Sequence, residues 1–271
     1  MLLAVLLFAG VNVLVKYLRH IPAVEIVFFR ALFTLVVSYL TLRRQRVPVW
    51  GNNRKVLFLR GFFGTIALIM LFTTFQQMRL ATATTIHYLS PIFTMLIASF
   101  VLGERLKALQ VVFFVVSFIG VLIIRGFDEQ IDPFYLGIGV VSAFFAGSAY
   151  NCIRYLKTSE HPLVIVMYFP LVAMPVAGTL SYFNWVMPHG WDWFWLLAVG
   201  LFTQGAQVLM TKAYQHSAAA NVAGVSYSGI LYALGFGLLL FDEVYTLSSY
   251  IGMSIVMLGV VLNVVFFGRK K

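Results

Sequence analysis

Charged residues and cysteine are scarce in this sequence. Only 10% of its 271 residues are charged, 9 of them acidic, whereas 61% are hydrophobic. The single cysteine, Cys152, excludes a disulfide within the chain and any metal site built on several cysteines. With a mean hydropathy of +0.93, the chain has more apolar residues than the core of a soluble protein can bury. The composition therefore indicates an integral membrane protein.

Motifs of several enzyme classes are also absent. No Gly-x-x-x-x-Gly-Lys-Ser/Thr segment is present to bind a nucleotide, and no His-Glu-x-x-His segment to bind a catalytic zinc. No pair of acids lies in the interior of the predicted spans, which argues against an intramembrane aspartyl enzyme. We therefore predict no enzymatic activity, no cofactor and no metal site. Residues 1–17 lack the basic start and the cleavage site of a signal peptide, so we interpret them as the first span.

Long apolar runs fill the rest of the chain. Their continuous character predicts helices, and a helix of about 20 residues crosses about 30 Å of hydrocarbon. Pro22, Pro133 and Pro162 stand where predicted helices begin, a position that suits a residue without an amide donor. Ten spans are predicted, at residues 2–19, 22–42, 56–78, 81–102, 107–125, 133–155, 162–184, 193–214, 218–241 and 246–267.

The distribution of basic residues predicts the orientation of the spans. With the N-terminus inside, thirteen of the 19 lysines and arginines fall on the inner side and four on the outer side. This asymmetry explains the net charge of +10, so we predict membrane lipid and a small-molecule substrate as partners, and no nucleic acid. The sequence leaves a monomer and a homodimer open.

The two halves of the chain are copies of one five-span unit. Matching residues are separated by 139 positions: Tyr88 and Tyr227, Glu104 and Glu243, Gly120 and Gly259. Because five is an odd number, the second copy must enter the membrane from the opposite side. We predict an all-α integral membrane protein with ten transmembrane helices, arranged as two inverted five-helix repeats at residues 1–130 and 131–271, with both termini cytoplasmic.

The order of motifs identifies a family resemblance. Pro91 is followed by Gly103-Glu104-Arg105, and the second copy has Asp242-Glu243 at the corresponding place. Together with the ten-helix plan and the repeated glycines, this pattern resembles the EamA-type branch of the drug/metabolite transporter superfamily over essentially the whole chain. The resemblance implies a carrier in the inner membrane that moves small metabolites by alternating access through a cavity between its halves, often as an exporter.

We therefore predict a secondary transporter for a small anionic or zwitterionic metabolite, such as an amino acid, an organic acid or a cofactor-like compound, with export favoured. The alternatives are a channel, an intramembrane enzyme, and a carrier of neutral or cationic compounds. The lack of interior acids argues against a site for cationic drugs.

Arg30 is the most costly residue to place in a membrane. It stands about eight residues inside span two, where insertion scales assign a central arginine a cost of about 2.5 to 3.5 kcal/mol. Its side chain can bind a carboxylate or phosphate, pair with backbone carbonyls, or extend to the membrane surface. Arg60, near the start of span three, either joins such a site or extends to the cytoplasm.

The other predicted substrate-binding residues are polar groups within spans. They are His87, Tyr88, Tyr227, Gln204, Gln207, Asn12 and Asn151. His87 can titrate near neutral pH, and the tyrosines can stack on or hydrogen-bond a ligand. Each group can instead pack in the core or bond a neighbouring helix. Pro91 and Gly229 allow bends in spans four and nine, where we predict a gate.

Glu104 and Glu243 lie just after the ends of predicted spans four and nine. One hypothesis gives them a role in proton coupling. The favoured alternative is a structural role, in which each carboxylate caps a helix or pairs with a nearby group.

Overall fold

The fold is a bundle of helices. The computed structural model describes residues 1–101, 108–126, 132–156, 159–216 and 228–267, and within these ranges every regular element is an α-helix, as predicted. Glu104 and Tyr227 lie outside the described residues. The helices are α1 Leu2–Tyr17, α2 Ala23–Arg44, α3 Arg54–Gln77, α4 Leu80–His87, α5 Ser90–Val101, α6 Ala108–Gly126, α7 Pro133–Leu156, α8 Pro162–Tyr182, α9 Asp192–His216, α10 Gly229–Phe241 and α11 Leu247–Phe267.

Prolines mark the start of three helices, which confirms the prediction. Pro22 immediately precedes α2, while Pro133 and Pro162 are the first residues of α7 and α8. At the start of α7, the carboxylate of Asp132 accepts the backbone N–H of Phe134 at 2.8 Å. This bond satisfies one of the amides that a helix N-terminus leaves without an internal partner.

The predicted fourth span is divided. Residues 81–102 were expected to form one helix, but Tyr88 and Leu89 separate α4 from α5. Pro91 explains the interruption, because it has no N–H to donate to the carbonyl four residues earlier, at His87.

Length and composition identify membrane-spanning helices among the described residues. Six segments are long and apolar enough to cross a membrane: Ala23–Arg44, Arg54–Gln77, Leu80–Phe100, Pro133–Leu156, Pro162–Tyr182 and Asp192–Met210. Four shorter apolar helices correspond to the remaining predicted spans: Leu2–Tyr17, Val111–Ile124, Gly229–Phe241 and Leu247–Leu262.

Helices of the first half pack mainly against helices of the second. The principal contacts join α1 with α9, α2 with α8, α3 with α7, α4 with α10 and α6 with α11. Further contacts join α3 with α8 and α2 with α9. If the halves are exchanged, so that α1, α2 and α3 take the places of α7, α8 and α9, the α1–α9 contact becomes α3–α7 and the α2–α9 contact becomes α3–α8.

One large apolar core joins the halves. It includes Val15, Phe72 and Ile86 from the first half and Ala173 and Val256 from the second, all buried. Since lipid tails are as apolar as these side chains, close packing rather than exclusion of water stabilises such a core. The polar residues inside it therefore stand out as exceptions.

Candidate functional site

Arg30 is held inside the protein. It lies on the buried face of α2, is 6% exposed, and its Nε atom has no hydrogen-bond partner within the described residues. The guanidinium carbon Cζ lies 5.6 Å from the ring centre of Phe72 and 5.5 Å from that of Phe169. A guanidinium over an aromatic ring is attracted by the negative face of the ring. The side chain therefore rests between aromatic residues of α3 and α8 and does not extend to the surface.

Arg60 reaches the same ring from α3. Its Cζ lies 5.1 Å from the centre of Phe169, and its Nε is also buried without a partner in the described part of the chain. The positive charge of Arg60 repels that of Arg30. We call Arg30 and Arg60 the arginine pair. Two predicted site residues thus meet at one aromatic side chain.

Two glycines bring α3 close enough to α8 for this contact. A Cβ added at Gly61 would lie 2.7 Å from the carbonyl oxygen of Tyr168. One added at Gly64 would lie 2.9 Å from the Phe169 ring and 3.0 Å from the guanidinium of Arg60. Because such distances are too short for carbon atoms in a packed interior, a larger residue at either position would force the helices apart.

Tyr150 on α7 lies in the neighbourhood of both Arg60 and Tyr88, and 42% of it is exposed. The hydroxyl of Tyr88 lies against Gly229 at the start of α10, where an added Cβ would collide with it. The predicted gate residue Gly229 and the predicted ligand residue Tyr88 are therefore in contact, although their roles stay predictions.

His87 and Gln204 each bury a polar atom that has no partner. Among the described ranges, no hydrogen-bond partner is present for Nδ1 of His87, at the end of α4, or for Oε1 of Gln204, on α9. A buried polar atom left without a hydrogen bond costs about 1 to 3 kcal/mol. Both atoms are therefore candidates for contact with a ligand or with water.

The remaining predicted residues show mixed placements. The side-chain amide of Asn151 on α7 donates to the carbonyl oxygens of Thr94, at 2.8 Å, and Gly147, at 3.0 Å. Asn151 thereby joins α7 to α5, which is the helix-to-helix role that we predicted as one alternative. Asn12 on α1 and Gln207 on α9 are half-buried.

Glu243 is paired at every contact that the structure shows. Its carboxylate accepts the backbone N–H of Leu80 at 3.0 and 2.9 Å and forms an ion pair with Lys16 at 2.5 Å. Tyr245 donates its hydroxyl to the same carboxylate. We call Lys16, Leu80, Glu243 and Tyr245 the Glu243 cluster. Glu243 thus caps the N-terminus of α4, which agrees with the favoured structural role, and its partners Lys16 and Leu80 lie far away in the sequence.

Burial and Glu243 both act on the hydroxyl of Tyr245. Burial, together with the hydrogen bond to Glu243, raises the pKa of the Tyr245 hydroxyl above its ordinary value. Tyr245 also accepts the backbone N–H of Ala81 at 3.3 Å, and Lys16 donates to the carbonyl oxygen of Met78 at 2.5 Å. The Glu243 cluster therefore ties the start of α4 to α1 and to the turn before α11.

Three important residues were not predicted from the sequence. Phe169 is one of 26 phenylalanines, and its match with Phe29 in the other repeat does not indicate a role at the site. Tyr150 is likewise one of 13 tyrosines. Lys16 was counted only as an outer basic residue. Lys16 matches Arg154 of the second repeat at an offset of 138 residues, and this repeated positive charge was a signal that the prediction did not use.

The arrangement is suited to binding anions. Within the part of the chain that the structure describes, neither arginine of the pair has a carboxylate within 4.0 Å. The same residues include no group of three or more His, Cys, Asp or Glu side chains that could hold a metal ion. The chemistry that the site offers is therefore charge and hydrogen bonding.

Comparison with known proteins identifies relatives of the chain. A family model described as the EamA-like transporter family matches residues 1–126 and again residues 134–265. The chain is 34% identical over 245 residues to the pseudopaline exporter CntI of Pseudomonas aeruginosa, covering 89% of this chain and 86% of that protein. It is 30% identical over 263 residues to human solute carrier family 35 member G1, covering 90% and 72%.

A solved crystal structure shows the same fold. It superimposes with a TM-score of 0.65 at 16% identity, over 99% of this chain and 96% of that one. The relatives are transporters of the drug/metabolite transporter superfamily, as the Gly-Glu-Arg pattern predicted. The chain is accordingly a multi-pass protein of the inner (plasma) membrane, surrounded by lipid, with a small molecule as its substrate. Two matches to one family model, each covering one half, show that the chain belongs to the EamA-like transporter family.

Proposed function

We propose that the protein is a secondary transporter that exports a small anionic or zwitterionic metabolite. Arg30 carries the proposal, because it is 6% exposed and presents an unpaired Nε among the described residues. The donors of a guanidinium fit the two oxygens of a carboxylate or phosphate, and their attraction strengthens where water is scarce. An arginine inside a membrane protein is expected to serve function when nothing else neutralises it.

The architecture supports alternating access. The paired contacts between halves and the two family matches support ten spans in two inverted five-helix repeats, at residues 1–130 and 131–271. The basic residues support cytoplasmic termini. The arginine pair lies on α2 and α3 of the first half, and the ring it shares lies on α8 of the second. An interface between repeats is where secondary transporters bind their substrates.

The relatives support the direction and the absence of catalysis. One of them is named an exporter of pseudopaline, so we assign export here. Because the relatives are named as transporters, we propose no enzymatic activity for this chain.

Counterflow into proteoliposomes tests the proposal. Vesicles loaded with unlabelled compound are given the same compound in labelled form, with carboxylates, amino acids and organic cations compared. We expect exchange of carboxylate-bearing compounds that saturates with concentration, and a loss of at least about tenfold in Arg30→Ala, as the removal of a hydrogen bond to a charged group predicts.

A second arginine on the same helix provides the control. Arg43 is exposed and donates to the hydroxyl of Tyr39 at 2.9 Å, so Arg43→Ala is expected to transport like the wild type. Exchange of cations alone, or anion exchange that survives Arg30→Ala, would contradict the proposal. Flux that rises without saturation would indicate a channel.

A further inference from the structure

The arginine pair places two positive charges at one buried ring. Because the Cζ atoms of Arg30 and Arg60 lie 5.5 and 5.1 Å from the centre of Phe169, they can be no farther apart than the sum of these distances. Their charges repel each other. The carboxylates in the described ranges all lie more than 4.0 Å from both guanidinium groups.

Phe169 compensates this repulsion only in part. An aromatic ring attracts a cation through its quadrupole, which is weaker than a full negative charge. Two cations at one ring also continue to repel each other through surroundings of low polarity. A bound molecule with negative charge would add to this compensation, and two cations suit a molecule with two such charges.

The arginine atoms that lack partners indicate how those charges are arranged. Nε is buried without a partner in both Arg30 and Arg60, counting the described residues. Nε and a neighbouring terminal nitrogen of one guanidinium form a fork that matches the two oxygens of one carboxylate. The two forks come from different helices, α2 and α3, so each can hold a separate carboxylate.

We propose that this site binds a dicarboxylate, with one carboxylate on Arg30 and the other on Arg60. The inference rests on the proposed function and adds the number of charges and their division between two groups. Arg60 then determines specificity: it selects molecules with a second carboxylate over those that have one. Gly64 leaves room for this arrangement, because a side chain there would displace both Arg60 and Phe169.

Competition against counterflow of labelled succinate tests this inference. The competitors are unlabelled dicarboxylates from malonate to adipate, monomethyl succinate as the partner with one charge fewer, and glycerol 3-phosphate as a dianion with both charges on one group. In the wild type we expect the best dicarboxylate to compete at a concentration at least about tenfold lower than monomethyl succinate, as one charged hydrogen-bonding group predicts.

Variants of Arg60 test whether this residue causes the preference for succinate over its monoester. In Arg60→Gln the preference for succinate over its monoester should fall to within about twofold, because the second carboxylate loses its partner. Arg60→Lys keeps the charge without the fork, so it should bind succinate more weakly and still prefer it to the monoester. Arg43→Gln should behave like the wild type. A full preference retained in Arg60→Gln overturns the inference.

The competitors also separate this inference from the proposed function. Equal competition by succinate and monomethyl succinate in the wild type, or exchange of glycerol 3-phosphate without dicarboxylate exchange, overturns the dicarboxylate site. The anion transporter survives in both cases if exchange still depends on Arg30. Absence of any anion exchange overturns both.

Thermal unfolding of the purified protein supplies a readout without transport. Arg60→Gln removes one of two repelling charges, so its midpoint without ligand should rise. Succinate should raise the midpoint of the wild type and not that of Arg60→Gln. A lower midpoint in Arg60→Gln, or an equal shift by succinate in both proteins, shows that Arg60 is structural and overturns the inference.

Discussion

The arginine pair and the Glu243 cluster treat buried charge in opposite ways. In the Glu243 cluster, Lys16 meets a carboxylate at 2.5 Å, and that carboxylate also accepts two donors besides the lysine. In the arginine pair, two cations share a ring with no carboxylate in contact among the described residues. Removing one partner of a buried pair destabilises a structure, whereas a buried charge without a partner is available to a ligand. The arginine pair is therefore where we expect the substrate to bind.

The largest loss of stability is expected from a substitution in the Glu243 cluster. Glu243→Gln leaves Lys16, whose side chain is 15% exposed, without its opposite charge. Removing one partner of a buried pair typically costs about 3 to 5 kcal/mol. We expect a clearly lower midpoint of thermal unfolding in detergent.

The neighbouring acid gives the control for that change. Asp242 is exposed and adopts φ 49°, a conformation that asparagine tolerates, so Asp242→Asn should unfold like the wild type. Adding Lys16→Met to Glu243→Gln should recover part of the loss, because no unpaired charge then remains. If Glu243→Gln unfolds at the same midpoint as the wild type, the proposed difference between the Glu243 cluster and the arginine pair is wrong.

Removing a charge from the arginine pair should not lower the stability of the protein. Arg30→Gln removes a buried charge that no described carboxylate offsets, so the free energy of unfolding should stay equal or rise. Transport should nevertheless fall by at least about tenfold, since an interaction with a charged group is lost. Unfolding and counterflow are measured on the same preparation. A fall in stability comparable to that of Glu243→Gln would show that Arg30 is a structural residue.

The contact between Gly229 and Tyr88 joins the two halves without any charge, and we expect a smaller effect on stability there. Gly229→Ala places a methyl group against the hydroxyl of Tyr88, and overpacking of this kind typically costs about 1 to 3 kcal/mol. Gly235 lies on the same helix with nothing within 4 Å of an added Cβ, so Gly235→Ala is the matched control and should be neutral or stabilising. Tyr88→Phe should restore the stability of Gly229→Ala. Additive effects in that double variant would exclude the contact.

The smallest effect is expected at the amide that joins α5 and α7. Asn151→Ala removes the bond to the carbonyl of Thr94, and hydrogen bonds between membrane helices are worth about 0.6 kcal/mol on average. We expect a slightly lower unfolding midpoint and unchanged counterflow. Strongly reduced transport at full stability would instead assign Asn151 to the substrate site.

Local sequence features predicted most of the fold. Hydrophobic runs predicted the helices, and prolines at positions 22, 133 and 162 marked their starts. The division of span four was missed, although Pro91 was recognised as a place for a bend. One proline weakens a helix without revealing whether the chain continues through it, since neighbouring helices decide that.

The sequence predicted a site residue only where the residue is, by itself, costly to place inside a membrane. Arg30 was found because an arginine inside a span demands an explanation. Phe169 and the partners of Glu243 were not, because their roles come from contacts between distant parts of the chain. Lys16 and Glu243 lie near opposite ends of the sequence, so no local pattern indicates that they form a pair.

Phe169 has one further consequence for how cargo is released. Arg30 and Arg60 belong to the first half of the chain, and the ring belongs to the second. Any displacement of α8 relative to α2 and α3 changes both cation–ring contacts in the same step. If the site binds a dicarboxylate as proposed, such a displacement would change the surroundings of both of its carboxylates at once.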